Sequence, residues 1–353
     1  MSAKSVSNPL RWGLLGALTL SASAAVYLAP AHGAPKKAVA RAEAPIMIKE
    51  EGSFAAGGKI IGDDSKSIHC DQGHVEYQIP VNPRKVGLFM WHSSSAHVWQ
   101  NRWDGGEGYQ SIFLRRGFPV FIWDGPRVGR GNMSCEPTTY EPRMGQDQGN
   151  WIAWRFGPKP GEWFPGVQFP TKSKEAYDAA MYARYHEYDF AKNAHMEAEA
   201  AAKAMDKIGP VVALTNSAGG WRAMLAALKS DNLKGIVAYE TAAFVFPEGE
   251  GPQGVEGGFG PTHVPLAEFK RLTKIPIQLV WGDYTAQTYW KTNVEISKQF
   301  VATINKYGGH AELLMLPDAG LKGNTHIAFA DMNNVQVADL LSAFLKKNKL
   351  DLR

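Results

Sequence analysis

The chain has 353 residues, of which 44% are hydrophobic and 20% charged, a globular balance with length enough for one large domain or two small ones. The formal charge is +4, and Lys4 and Arg11 supply two of those four, which leaves too little positive charge for a nucleic-acid reader. No His/Cys cluster has metal-ligand spacing, and no glycine-rich phosphate motif is complete, so neither a metal nor another cofactor is expected.

Residues 1–34 read as a secretory signal peptide. Lys4 and Arg11 precede an uncharged run from Trp12 to Leu28, and the small residues Ala29, Ala31, Gly33 and Ala34 follow. Cleavage after Gly33 or after Ala42 fits the small-residue rule. The alternative, an uncleaved membrane anchor, is disfavoured by the Gly, Ser and Pro that interrupt the run. A periplasmic or secreted protein is therefore expected, with no stable membrane insertion after processing. In an oxidising compartment Cys70 and Cys135 can form one disulfide; the alternative is two buried thiols.

Residues 35–50, rich in Ala, Lys and Pro, read as a linker, and residues 51–350 as the folded domain, which Gly52 to Ile61 opens. Val75 to Pro80 alternates like a half-buried strand. Val86 to Trp91 is almost continuously apolar, as a buried parallel strand is, and it ends in His92-Ser93-Ser94-Ser95. Small residues there let backbone approach a substrate carbonyl, so the Ser94 N–H is a candidate oxyanion donor. His92 reads as structural, since its place in the chain order does not suit a base. Phe118 to Asp124 is the next strand. The glycine-rich loop Gly125 to Asn132 lacks a P-loop Lys-Ser/Thr and reads as tight packing beside the strand ends.

Residues 136–186 break the rhythm of strands and helices. They carry Trp151, Trp154, Phe156, Trp163, Phe164, Phe169, Tyr177, Tyr182 and Tyr185 among many Gly and Pro, and read as a cap inserted over the site. The rings either line an apolar substrate pocket or bury the cap against the body. A helix follows from Tyr188 to Ile208, stopped by Gly209-Pro210.

Val211 to Leu214 reads as a short buried strand and Trp221 to Lys229 as a helix, with Thr215-Asn216-Ser217-Ala218-Gly219 between them. A strand that turns straight into a helix through a serine with small neighbours has the pattern of a nucleophile elbow. The usual spelling is G-x-S-x-G, and Thr215 stands in place of the first glycine. The alternative is an ordinary turn with Ser217 capping the helix. Gly235 to Glu240 is a strand ending in a carboxylate, residues 246–265 a Gly/Pro-rich loop, and Ile275 to Asp283 a strand that also ends in a carboxylate. Trp290 to Tyr307 is a helix, Ala311 to Pro317 the last strand, Gly323 to His326 a loop, and Asn333 to Lys347 a final helix.

Strands alternating with helices predict an α/β fold with a mostly parallel sheet. Ligands bind such sheets at the carboxyl ends of the strands, and Ser94, Ser217, Glu240, Asp283 and His326 all fall there. The order nucleophile, acid, histidine is that of an α/β-hydrolase. Ser217 needs a base, and His326 is the candidate. Glu240 or Asp283 would hold the imidazole tautomer, and the N–H groups of Ser94 and Ala218 would bind the oxyanion.

The chain resembles the bacterial esterase family typified by the Alcaligenes esterase that acts on esters of halogenated cyclic compounds. The resemblance rests on Gly52-Ser53-Phe54, Tyr77-Gln78-Ile79-Pro80, Phe113-Leu114-Arg115-Arg116-Gly117, Arg155-Phe156-Gly157-Pro158 and Gln168-Phe169-Pro170, and above all on Gly323-Asn324-Thr325-His326 with Asp331-Met332-Asn333-Asn334 after it. It implies the α/β-hydrolase fold, helices on both faces of the sheet, a homodimer, and a glutamate as the acid, which maps onto Glu240 and leaves Asp283 as the alternative. The family also lacks the first elbow glycine, as Thr215 does here. It carries adjacent, disulfide-joined cysteines in the oxyanion loop, where this chain has Ser94-Ser95. The expected function is an exported serine carboxylic-ester hydrolase acting on a small-molecule, apolar or aromatic ester. A lactonase, acyltransferase or perhydrolase would use the same residues, and a binding protein that kept the fold without the chemistry is a further alternative.

Overall fold

A computed structural model describes residues 44–186, 190–253 and 261–353. The expected signal peptide and most of the expected linker lie outside the described residues. Ten strands are described: β1 (Ile48–Asp63), β2 (Lys66–Pro80), β3 (Gly87–Trp91), β4 (Val120–Asp124), β5 (Val211–Asn216), β6 (Leu233–Tyr239), β7 (Val245–Pro247), β8 (Thr262–Val264), β9 (Pro276–Trp281) and β10 (His310–Met315). Eight of them form one sheet in the order β1-β2-β4-β3-β5-β6-β9-β10. From β4 to β10 every neighbour is parallel, and β2 runs antiparallel to both β1 and β4.

The central strands are buried on both sides because their sequences are mostly apolar, with few polar interruptions such as Lys234 and Gln278. Alternation then divides them between two cores. Leu88, Met90, Val212, Leu214 and Val237 face one core, and Phe89, Trp91, Val211, Ala213, Ile236 and Ala238 face the other. Helices cover both faces. On the first lie α1 (His97–Gln100) and α2 (Tyr109–Arg115), with α9 (Asn334–Lys347) presenting Val337, Ala338, Leu341, Phe344 and Leu345. On the second lie α5 (Phe190–Ile208), α6 (Ala218–Ala227) and α8 (Trp290–Lys306). Ala194, Ala198, Ala201 and Met205 of α5, and Phe300 and Ile304 of α8, recur at helical spacing and are buried there. The short α7 (Leu266–Phe269) adds Phe269 to this core.

Residues 136–186 hold α3 (Gln146–Ala153) and α4 (Lys174–Tyr182). Trp151, Phe156, Phe164 and Phe169 are buried in the first core, with Phe156 and Phe169 centred 4.4 Å apart and Trp163 stacked on Phe169 at 5.3 Å. Each such burial is worth about 1.5–3 kcal/mol, so these rings fix the region to the body. Tyr182 is exposed. Of the nine rings noted in the sequence, only Trp154 and Tyr185 reach the cavity described below.

Three expectations are corrected. The linker was expected to run through residue 50, but β1 already begins at Ile48. The first segments are longer strands than alternation implies: β1 and β2 pair from Ile48↔Pro80 to Asp63↔Lys66, turned where Asp63 accepts from the Ser65 and Lys66 N–H groups. The region 246–265 is not all loop, since β7 and β8 pair in parallel; residues 254–260 lie outside the described residues. Among the described residues no helix is long and apolar enough to cross a membrane.

Candidate active site

β5 runs into α6 through Ser217, whose backbone sits at φ 51° and ψ −124°. That is a sparsely populated conformation for a residue with a Cβ, of the order of 1–3 kcal/mol in cost. It is held by the Ser217 N–H donating to the Tyr239 carbonyl at 3.0 Å and the Ser217 carbonyl accepting from the Ala242 N–H at 3.2 Å. The side chain makes no capping bond to α6, so the helix-cap alternative does not hold. The tight turn leaves no room beyond it. A Cβ on Gly220 would lie 2.4 Å from Thr241 Oγ1, and one on Gly219 would lie 2.9 Å from the Trp91 carbonyl. Thr215 is buried near the end of β5, and even a Cβ added to Gly219 would meet its Cβ only at 3.5 Å, so the threonine leaves room for the turn despite the missing first glycine.

His326 is buried on the loop after β10. Its Nδ1 lies 2.7 Å from Glu240 Oε2. A proton on Nδ1 shared with the carboxylate leaves Nε2 as the basic nitrogen. The ring stacks on Trp290 with centroids 4.6 Å apart and planes 22° apart. The backbone is held on both sides: the His326 N–H donates to the Trp154 carbonyl at 3.0 Å, and its carbonyl accepts from Asn216 Nδ2 at 3.1 Å. The strand that carries Ser217 is thereby tied to the loop that carries His326. Burial pushes the His326 imidazole below its ordinary value, with the Glu240 contact opposing and the Arg155 charge reinforcing that direction.

Glu240 follows β6 at φ 53° and is fully buried. Oε1 accepts from the Gly282 N–H at 2.7 Å. Both carboxylate oxygens accept from the guanidinium of Arg155, which is also fully buried. Burial pushes the Glu240 carboxyl up, and the Arg155 charge and His326 contact outweigh it, holding the group below the usual range. Asp283 is directed elsewhere. Its carboxylate accepts from the Tyr284 N–H at 2.7 Å and the Gly323 N–H at 2.9 Å, which fastens the start of the histidine loop.

The same loop is pinned from its other end by Asp331, buried among four donors: Thr325 N–H at 2.7 Å, Thr325 Oγ1 at 2.8 Å, Asn324 Nδ2 at 3.1 Å and Trp103 Nε1 at 3.2 Å. Motif and chain order alone assign no role to Arg155, Asn216 or Asp331. Arg155 and Asp331 stand inside strings that carry the family resemblance, which was the one signal available for them.

Ser94 follows β3, is buried, and has its carbonyl bonded by the Tyr185 N–H at 2.7 Å. His92 is structural in its setting: buried, with Nε2 2.6 Å from Asp124 Oδ1, an oxygen pair whose other member takes Arg130 Nε at 2.6 Å. Cys70 and Cys135 are joined as a disulfide. The glycine-rich loop after β4 packs as expected, with Arg127 Nε on Asp71 Oδ1 at 2.8 Å.

Ser94, Ser217 and His326 open onto one cavity of about 530 Å³. Trp154, Tyr185, Tyr289 and Trp290 contribute rings to it, and Asn150, Arg184 and Asn293 contribute polar groups. No group of three or more His, Cys, Asp or Glu side chains among the described residues could hold a metal ion.

The chain is similar in structure to a protein described as a novel bacterial esterase, with a TM-score of 0.72 and 23% identity over 87% of this chain and 98% of that one. The chain has the α/β-hydrolase fold. The α/β-hydrolase strand order, with its second strand reversed, is the one described above. In sequence the chain is similar to the probable secreted lipase phiG of a fungal species, 24% identical over 78% of this chain and 85% of that protein. No protein-family model matches the chain.

Proposed function

We propose that this α/β-hydrolase is an exported serine carboxylic-ester hydrolase. One observation carries the reading: His326 is gripped by Glu240 at 2.7 Å and opens onto the same cavity as Ser217, which stands on a strained strand-to-helix turn. In this reading Ser217 Oγ attacks the ester carbonyl carbon while its proton passes to His326 Nε2. The oxyanion is met by the Ala218 N–H at the start of α6 and by the Ser94 N–H. One such donor is typically worth about 2.7–4 kcal/mol of transition-state stabilisation. The intermediate collapses, His326 returns the proton to the departing alkoxide, and an acyl-Ser217 ester is left. Water then attacks that ester with His326 again as base. Glu240 stays ionised throughout and stabilises the imidazolium.

The aromatic rings around the cavity favour an ester with a flat or apolar group, while Arg184, Asn150 and Asn293 offer bonds to polar substituents. Export is supported by the charged, apolar and small-residue sequence of the N-terminus, and by likeness to a relative named as secreted. The deciding experiment compares wild type with Ser217→Ala on short p-nitrophenyl esters and with a fluorophosphonate probe. Loss of both turnover and labelling is expected; a folded Ser217→Ala protein that hydrolyses at the wild-type rate would overturn the assignment.

A further inference from the structure

The inserted region reaches into the site through two consecutive residues. The Trp154 carbonyl accepts the His326 N–H at 3.0 Å, and the Arg155 guanidinium forks onto both oxygens of Glu240 while its Nε donates to the Asp283 carbonyl at 2.7 Å. Arg155 adopts φ 57°, a left-handed conformation rare for a residue with a long side chain. All of its donors shown here point at the acid or at the backbone beside it, and none at the cavity. We propose that Arg155 is a positioning residue of the catalytic set, holding the Glu240 carboxylate in the plane and rotation that grip His326 Nδ1. This rests on the esterase reading of the site.

The physical reason is the geometry of a bidentate pair. A carboxylate held by His326 on one oxygen and the Gly282 N–H on the other can still rock about its Cγ–Cδ bond. A planar guanidinium bonded to both oxygens removes that freedom. Its charge has a second effect. Arg155 lies beside a buried carboxylate and imidazole, so it opposes uptake of a further proton by the pair as a whole. Of the other titratable groups nearby, the Asp283 carboxylate accepts from two backbone N–H groups, Asp331 is pushed up to about 7 by burial while it accepts from Thr325, Asn324 and Trp103, and Tyr289 is a phenol raised by burial.

The test uses the full-length exported protein, with p-nitrophenyl acetate turnover followed from acid to neutral pH and thermal melts as a check on folding. In wild type the acid limb of kcat/KM should inflect below the ordinary histidine value of about 6.5, because burial disfavours imidazolium. Arg155→Met should lower kcat by at least about tenfold with KM nearly unchanged. It should also move the acid limb upward by about one pH unit, since a lost positive charge makes the pair easier to protonate. Arg155→Lys keeps the charge and loses the fork, so kcat should fall with the limb in place. A folded Arg155→Met protein with wild-type kcat or an unmoved limb would overturn the proposal. If Arg155→Met does not fold, Arg155→Lys decides: wild-type kcat, or a displaced limb, overturns it. Wild-type protein that neither turns over esters nor labels with fluorophosphonate would defeat the esterase reading itself. Normal wild-type activity with insensitive Arg155 variants would defeat only this inference.

Discussion

At the scale of single residues, Glu240 and Asp283 are both carboxylates just past parallel strands, and their partners separate them. Glu240 touches the imidazole; the Asp283 carboxylate accepts only from the backbone N–H groups of Tyr284 and Gly323 among the bonds described. Under the proposed mechanism Glu240→Ala is therefore expected to lower kcat by about a thousandfold to ten-thousandfold, in the range found for removal of a triad acid. Asp283→Ala should cost less than about tenfold in kcat and show itself chiefly as a lower melting temperature, because it frees the start of the histidine loop. Turnover and melting of the two variants side by side check this. Chain order brings both acids to the right edge of the sheet, and it stops there. Which one points at His326 depends on side-chain direction and reach, and neither is written in a strand pattern. Arg155 was illegible for a related reason: its target lies 85 residues away, on a different strand end.

At the scale of elements, legibility followed burial. β3, β5, β6 and β9 are largely apolar runs between turn residues, and the sequence places them within a few positions of where they lie. β1 and the first half of β2 were not, because most of their side chains face solvent on both sides and no alternation marks them. β7 and β8 span three residues each, too few to show a period. The elbow itself makes a sharp element-level prediction. Gly220 lies where α6 passes the end of β6, with no space for a methyl group against Thr241. Gly220→Ala should destabilise the protein by about 1–3 kcal/mol through overpacking, read as a lower midpoint in denaturant. It should also slow fluorophosphonate labelling by displacing Ser217.

At the scale of the molecule, alternation of strands and helices was enough for the fold class, since a parallel sheet needs crossovers on its faces. The disulfide was beyond reach, because a separation of 65 residues carries no information about distance. The bridge closes a long loop around β3 and β4, and the chain-entropy argument gives such a closure about 4 kcal/mol. Cys70→Ser with Cys135→Ser should therefore unfold at lower denaturant concentration by roughly that free energy while keeping the proposed ester turnover at 25 °C, because neither cysteine is among the residues around the cavity. The contact of Trp154 and Arg155 with the catalytic set has a different kind of consequence. In the proposed esterase reading, residues 136–186 are a cap, and a cap looks like an ornament that could be exchanged. In that reading the base at His326 stands one layer short of support without Trp154 and Arg155, and the ornament supplies that layer. A chimera given another protein's cap would inherit its pocket walls but lose the grip on its own glutamate, unless the graft carried an arginine at the same depth. In that reading substrate range and catalytic competence would be inherited together.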